Sequence, residues 1–159
     1  MDFRTTDIED LATQVREGRI SARELTAHAL NRIDATNGAV GAFVAVDEES
    51  AMAEADAIDA RVAGGEDLGP LAGIPLGVKD TEDAIGFRTT QGSALFADRA
   101  IATEDSVLVA RLRQAGCVII GKTNTPELAW KADTDNEVFG RTGNPWALDR
   151  SAGGSSSGS

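Results

Sequence analysis

Four apolar residues in succession, Cys117-Val118-Ile119-Ile120, restrict the fold of this chain more than any other stretch. A strand with no polar position has no face to turn to water, so it needs strands at its edges and helices over both faces. The segment before it, 106–115, reads as a helix with Val107, Leu108, Ala110 and Leu112 inward, and Gly116 ends it. Helix followed by buried strand is a piece of a covered α/β sheet. Seventeen glycines suit that turn-rich class better than a helical bundle, and with aromatics at 4% the core has to be aliphatic. The length of 159 residues is that of one domain, 1–159.

The rest of the chain follows the same alternation. Thr6-x-x-Glu9 reads as a capping box ahead of Ile8, Leu11, Ala12 and Val15 at helical spacing, with Gly18 as the stop. Ser21-x-x-Glu24 opens a second helix with Ala22, Leu25, Ala29 and Ile33 on one face, ended by Asn37-Gly38. Residues 42–46 form a short apolar strand. Met52, Ala55, Ile58, Asp59 and Val62 mark a third helix over 48–62, which Gly64-Gly65 stops. Residues 71–80 are apolar, carry Gly and Pro, and close on two opposite charges. From 123 to 150 the pattern predicts mostly loop, with Trp130 and Trp146 anchoring it to the core. No internal repeat is present.

Charge and rare residues exclude several functions. Fifteen basic against 26 acidic residues leave −11, a surface that repels phosphate backbones, and no Lys/Arg cluster offsets it, so nucleic acid is not expected as a partner. Cys117 is the only cysteine, which rules out an internal disulfide; it reads as a small core hydrophobe. Met1-Asp2-Phe3-Arg4 lacks the apolar core of a signal peptide, and no apolar run nears the roughly 20 residues that span a bilayer. A cytoplasmic protein without membrane association is expected. The lone histidine, His28, excludes a His-based triad and reads as a solvated helix residue. Glu48-Glu49 and Glu82-Asp83 read as solvated pairs without metal-ligand spacing, so no metal and no cofactor is expected.

Residues 116–123, GCVIIGKT, match the phosphate-loop pattern G-x-x-x-x-G-K-[ST]. That loop follows a strand and wraps phosphate with its own N–H groups before a helix begins. Here the intervening Cys, Val, Ile and Ile want to be the strand itself, with a helix upstream and the Asn124-Thr125-Pro126 turn downstream. Nucleotide binding is rejected.

Two places carry unusual chemistry. Lys79 closes the run Ile74-Pro75-Leu76-Gly77-Val78, whose glycines let backbone come close. Desolvation there would disfavour the ammonium and make a neutral amine base accessible. Taken alone, such a lysine also reads as a strand-end residue paired with Asp80 or reaching solvent. The second place is 153–159, Gly-Gly-Ser-Ser-Ser-Gly-Ser, rich in hydroxyls and backbone donors. By composition it also suits a flexible linker, although it continues directly from 144–150 and no tag sequence follows.

GPLAGIPLGVKD (69–80), GKTNTPE (121–127), NPW (144–146) and GGSSSGS (153–159) together resemble the successive blocks of the amidase-signature family, in order and in spacing. The resemblance spans essentially the whole chain. It implies the N-terminal part of a three-layer α/β/α fold with a mixed, mostly parallel sheet. It also implies a Ser-Ser-Lys triad acting on a small-molecule amide without a cofactor. On the family pattern Lys79 is the general base, and Ser155, following a cis peptide from Gly154, is the bridging serine; Ser156 supports the lysine. The bridge relays a proton, because a serine hydroxyl attacks well only once a base takes its proton. The family's attacking serine and oxyanion donors lie in a later glycine-rich block, beyond Ser159. The chain is therefore expected to be truncated after the bridging-serine loop, inactive alone and poorly folded, with Ser156, Ser157 and Ser159 poor substitutes for the nucleophile. Residues 125–131, TPELAWK, look more like stand-alone amidases than like the A-subunit of glutamyl-tRNA amidotransferase, which stays as the alternative beside a non-catalytic product. For a full-length parent a homodimer stays open.

Overall fold

The computed structural model describes residues 5–156 and 158; Ser157 and Ser159, like residues 1–4, lie outside the described residues. The chain forms two compact units, each assembled from three separate stretches. The first takes Met1–Arg32, Asp47–Leu76 and Ala110–Ile120; the second takes Ile33–Val46, Gly77–Val109 and Gly121–Ser159.

The first unit is built on helix ends. Helix α1 (Ile8–Arg16) is capped by Asp7 rather than Thr6, its carboxylate accepting from Asp10 N at 2.8 Å. A carboxylate caps as well as a hydroxyl, and this one also adds negative charge at the positive helix end. Leu11, Ala12 and Val15 are buried, whereas Ile8 is exposed. Helix α2 (Ala22–Val40) opens on a reciprocal capping box: Glu24 N donates to Ser21 Oγ at 3.0 Å and Ser21 N to Glu24 Oε2 at 2.9 Å. Helix α3 (Glu48–Ala63) packs on α1 and explains the inward carboxylate of the sequence pattern. Its Asp59 accepts from Ala22 N and Arg23 N, two otherwise orphaned donors of the first turn of α2. Ala22, Leu25, Leu30, Ala51, Ala55, Ile58 and Ile74 fill the interior. His28 is half-buried on α2 rather than solvated.

Strands β2 (Pro75–Lys79) and β3 (Val118–Thr123) begin in the first unit and finish in the second. Val118 N donates to Ile74 O at one end and Asp80 N to Thr123 O at the other, so the pair is parallel. Strand β1 (Phe43–Val46) joins β3 antiparallel, giving a mixed sheet of order β1-β3-β2. Strand β3 does not stop at Ile120. It runs on through Gly121, Lys122 and Thr123, all buried, so residues 118–123 of the phosphate-loop pattern are a strand. Gly121 is required there, since a Cβ at that position would stand 2.3 Å from Ala45 O on the paired strand.

Several expectations for the second unit and for the elements that cross into it are corrected. Asn37 and Gly38 lie inside α2 and do not end it. The Asn37 amide is occupied with Phe43, donating to its carbonyl and accepting from its N–H, and α2 ends only ahead of Gly41. Helix α4 (Val107–Gln114) turns Val109 inward, leaving Val107 and Leu108 exposed and Ala110 and Leu112 half-buried. Its first turn is set by Ser106, whose N–H is held by Asp83 O and whose Oγ accepts from Val109 N. Within 123–150, expected as loop, stand two hairpins: β4 (Asp135–Asn136) with β5 (Gly140–Arg141), and β6 (Gly143–Asn144) with β7 (Ala147–Ser151). Trp130 and Trp146 anchor nothing, being 83% and 92% exposed. Buried amides, described below, hold these loops instead. Glu82 is half-buried and accepts from Ser106 Oγ, so it is no solvated residue. No described helix is long and apolar enough to cross a membrane.

Candidate active site

Strand β2 delivers Lys79 to the edge of a polar interior. Its Nζ lies 2.9 Å from Ser155 Oγ, a contact between residues 76 positions apart. Both side chains are half-buried. Burial lowers the proton affinity of the Lys79 amine below the ordinary lysine value, and the Glu82 carboxylate opposes that change. The separation serves either protonation state, since an ammonium donates to the hydroxyl oxygen and a neutral amine accepts the hydroxyl proton.

Ser155 is presented by a segment fastened on both sides. The Gly154–Ser155 peptide is cis. Thr134 Oγ1 donates to Gly153 O at 3.0 Å, and Thr125 Oγ1 donates to Ser155 O at 3.4 Å. A Cβ at Gly154 would stand about as close as contacts allow, 3.1 Å from Lys131 O. Gly158 is buried, with Ala42 O and Asn124 N 2.5 Å from where its Cβ would be, so only glycine fits. Ser156 follows the bridge and is exposed.

Beneath this segment lies a network of buried amides and hydroxyls. Asn124 Oδ1 accepts from Asn136 Nδ2 at 2.8 Å and from Thr125 N at 2.9 Å, while its Nδ2 donates to Thr142 Oγ1 and Gly140 O. Asn136 in turn donates to Thr125 O and accepts from Val138 N and Phe139 N. A fully satisfied network of this kind is rigid, because each broken bond would strand a buried polar atom. It holds Thr125 against Ser155.

Sequence reasoning passed over one pair. Lys122, fully buried in β3, sits 3.1 Å from Asp80, which is also buried. Its Nζ also donates to Glu82 O at 2.8 Å, Arg88 O at 3.1 Å and Thr89 Oγ1 at 3.0 Å. Thr89 gives its own hydroxyl proton to Glu82 O, so every partner of Lys122 is an acceptor and the group is an ammonium. Burial pulls its proton affinity down, while Asp80, Asp83 and Glu82 oppose that. The available signal was a lysine continuing an apolar strand together with an aspartate directly after Lys79. Among the described residues, no three His, Cys, Asp or Glu side chains gather as a metal site.

Comparisons with known proteins agree on the family. The family model described as Amidase matches residues 24–159. The A-subunit of glutamyl-tRNA(Gln) amidotransferase from Acidothermus cellulolyticus is 47% identical over 157 residues, covering 99% of this chain and 31% of that one. The chain thus spans about a third of the length of such curated relatives. Among solved structures, the peptide amidase of Stenotrophomonas maltophilia is 34% identical with a TM-score of 0.89, over 99% of this chain and 33% of that one. A chain of a vestigial protein complex, one that reveals the evolutionary origins of an s-triazine catabolic enzyme, is 44% identical with a TM-score of 0.92, covering 97% and 34%. The mixed α/β architecture is that of the amidase-signature fold. By the length and identity of these matches, the chain belongs to the amidase-signature family.

Proposed function

We propose that this chain supplies the base and the bridging hydroxyl of a centre that cleaves carboxamides. The observation that carries the reading is the 2.9 Å approach of Lys79 Nζ to Ser155 Oγ. In the proposed step the neutral Lys79 amine accepts the proton of Ser155 Oγ, and Ser155 takes the proton of an attacking serine as that serine bonds to the amide carbon. When the tetrahedral intermediate collapses and the C–N bond breaks, the proton returns through Ser155 to the departing nitrogen. The family pattern puts the attacking serine in a segment other than these 159 residues. Ser156 is proposed as support for the lysine on that pattern alone, and Gly154 as the residue whose lack of a side chain lets the bridge come close.

A second reading, the corresponding part of the A-subunit of a glutamyl-tRNA(Gln) amidotransferase, is favoured by the 47% identity to one such protein. Both readings share base and bridge and differ in substrate and partners. A chimera carrying this chain in place of the matching segment of the Stenotrophomonas maltophilia peptide amidase tests the shared chemistry. Turnover should fall at least roughly 1,000-fold in its Lys79→Ala form, as expected when a group acting only in the transition state is lost. Near-parental turnover in that form would remove Lys79 from the mechanism. Turnover of glutamine rather than of simple amides, in an analogous chimera built on the amidotransferase, would favour the second reading.

A further inference from the structure

Lys122 is the buried charge for which the proposed proton relay has no use. Its contacts run to two stretches: Asp80 and Glu82 O in the segment leaving β2, and Arg88 O with Thr89 Oγ1 farther on. Asp80 N and O are tied to Thr123 O and Gln91 N, its carboxylate is bonded by Thr90 N and Oγ1, and Lys122 sits on its other side. Lys122 Nζ also holds Glu82 O, and Glu82 N donates to Lys79 O at 3.0 Å. Lys122 thus holds the Glu82 backbone, which in turn holds the Lys79 backbone, and the Lys79 side chain ends at Ser155. Breaking such a buried pair would leave one charge uncompensated away from water, so Lys122 and Asp80 hold each other in place.

We propose that Lys122 is a positioning residue: paired with Asp80, it holds the 79–82 turn so that Lys79 meets Ser155 and the Glu82 carboxylate stays at a set place beside Lys79. The proposal rests on the reading of Lys79 as base, but it concerns the setting of that amine and is tested without turnover. Among the described residues, Asp80, Asp83 and Glu82 act on Lys122, and Glu82 acts on Lys79.

The chain has three lysines, Lys79, Lys122 and the exposed Lys131, so a [13Cε]lysine spectrum of all 159 residues resolves Lys79 once Lys131→Arg assigns the third signal. Glu82→Gln should lower the Lys79 titration midpoint by about half a pH unit or more, because it removes the carboxylate that favours the ammonium. In an Asp80→Asn, Lys122→Met background, which leaves no lone buried charge, the same Glu82→Gln change should shift Lys79 by less than half as much. Lys122→Arg should restore most of the effect. An equal Glu82→Gln shift in both backgrounds would overturn the proposal. If the double variant does not fold, Thr89→Val removes one partner of Lys122 and keeps both charges, and the same comparison decides. Loss of this coupling leaves the chimera result untouched, and an active Lys79→Ala chimera leaves the coupling untouched, so the two failures read differently.

Discussion

Cys117 shows what burial does to a titratable side chain when no partner compensates. It lies in the aliphatic interior of the first unit, and burial, helped by the Glu54 carboxylate, pushes its thiol up to about 11. The thiolate is the reactive form, so alkylation by iodoacetamide at pH 8 should run roughly 100-fold slower than that of a free thiol, and recover in denaturant. Fast labelling of the folded chain would refute the assignment. The linkage has a definite sign: the stability tied to this thiol is intact below the ordinary 9.0 and declines as pH rises toward 11. Cys117 and Lys79 were legible in the sequence because each ends or begins an apolar run, where burial is written locally. Lys122 was not, because its partners Asp80, Glu82 and Thr89 stand far back in the chain and its immediate neighbours spell a phosphate-loop pattern.

Elements were read best where their ends carry side-chain signals. The box Ser21-x-x-Glu24 forms as its spacing implies, whereas at α1 the cap is Asp7, one residue after the expected Thr6. Asn37-Gly38 misled because the Asn37 amide bonds forward to Phe43 while the helix continues beneath it. The short hairpins of 135–151 were illegible, being two- to five-residue strands with no apolar alternation. Two glycines make a matched test of these accounts. Gly38 is helical with nothing within 4 Å of a Cβ, so Gly38→Ala should stabilise by about 0.5–1 kcal/mol. At Gly121 the added methyl would press on Ala45 O, so Gly121→Ala should cost about 1–3 kcal/mol or more by forcing β1 from β3. Urea midpoints measure both; a neutral Gly121→Ala would refute the close approach.

At the scale of the molecule, the two interiors differ in kind. The first unit encloses Leu11, Val15, Leu25, Ile58, Val118 and Ile119, and periodicity in the sequence exposed much of that list. The second encloses Asp80, Lys122, Asn124, Thr125, Thr134, Asn136 and Thr142, a set that composition marks as surface. Only the completed hydrogen-bond geometry makes such an interior stable, and residue spacing carries no trace of it. Because each unit is assembled from three stretches, order of synthesis matters. The first unit has its last stretch once Ile120 is made, while the second still awaits the segment holding Ser155 and Gly158. At about 5–20 residues per second, a translating ribosome leaves an interval of roughly 2–8 s in which an apolar core can form and the amine has no serine to meet. A nascent-chain force profile should accordingly show two pulling events, separated by about 40 residues of chain length, and a single late event would mean that the two interiors form as one.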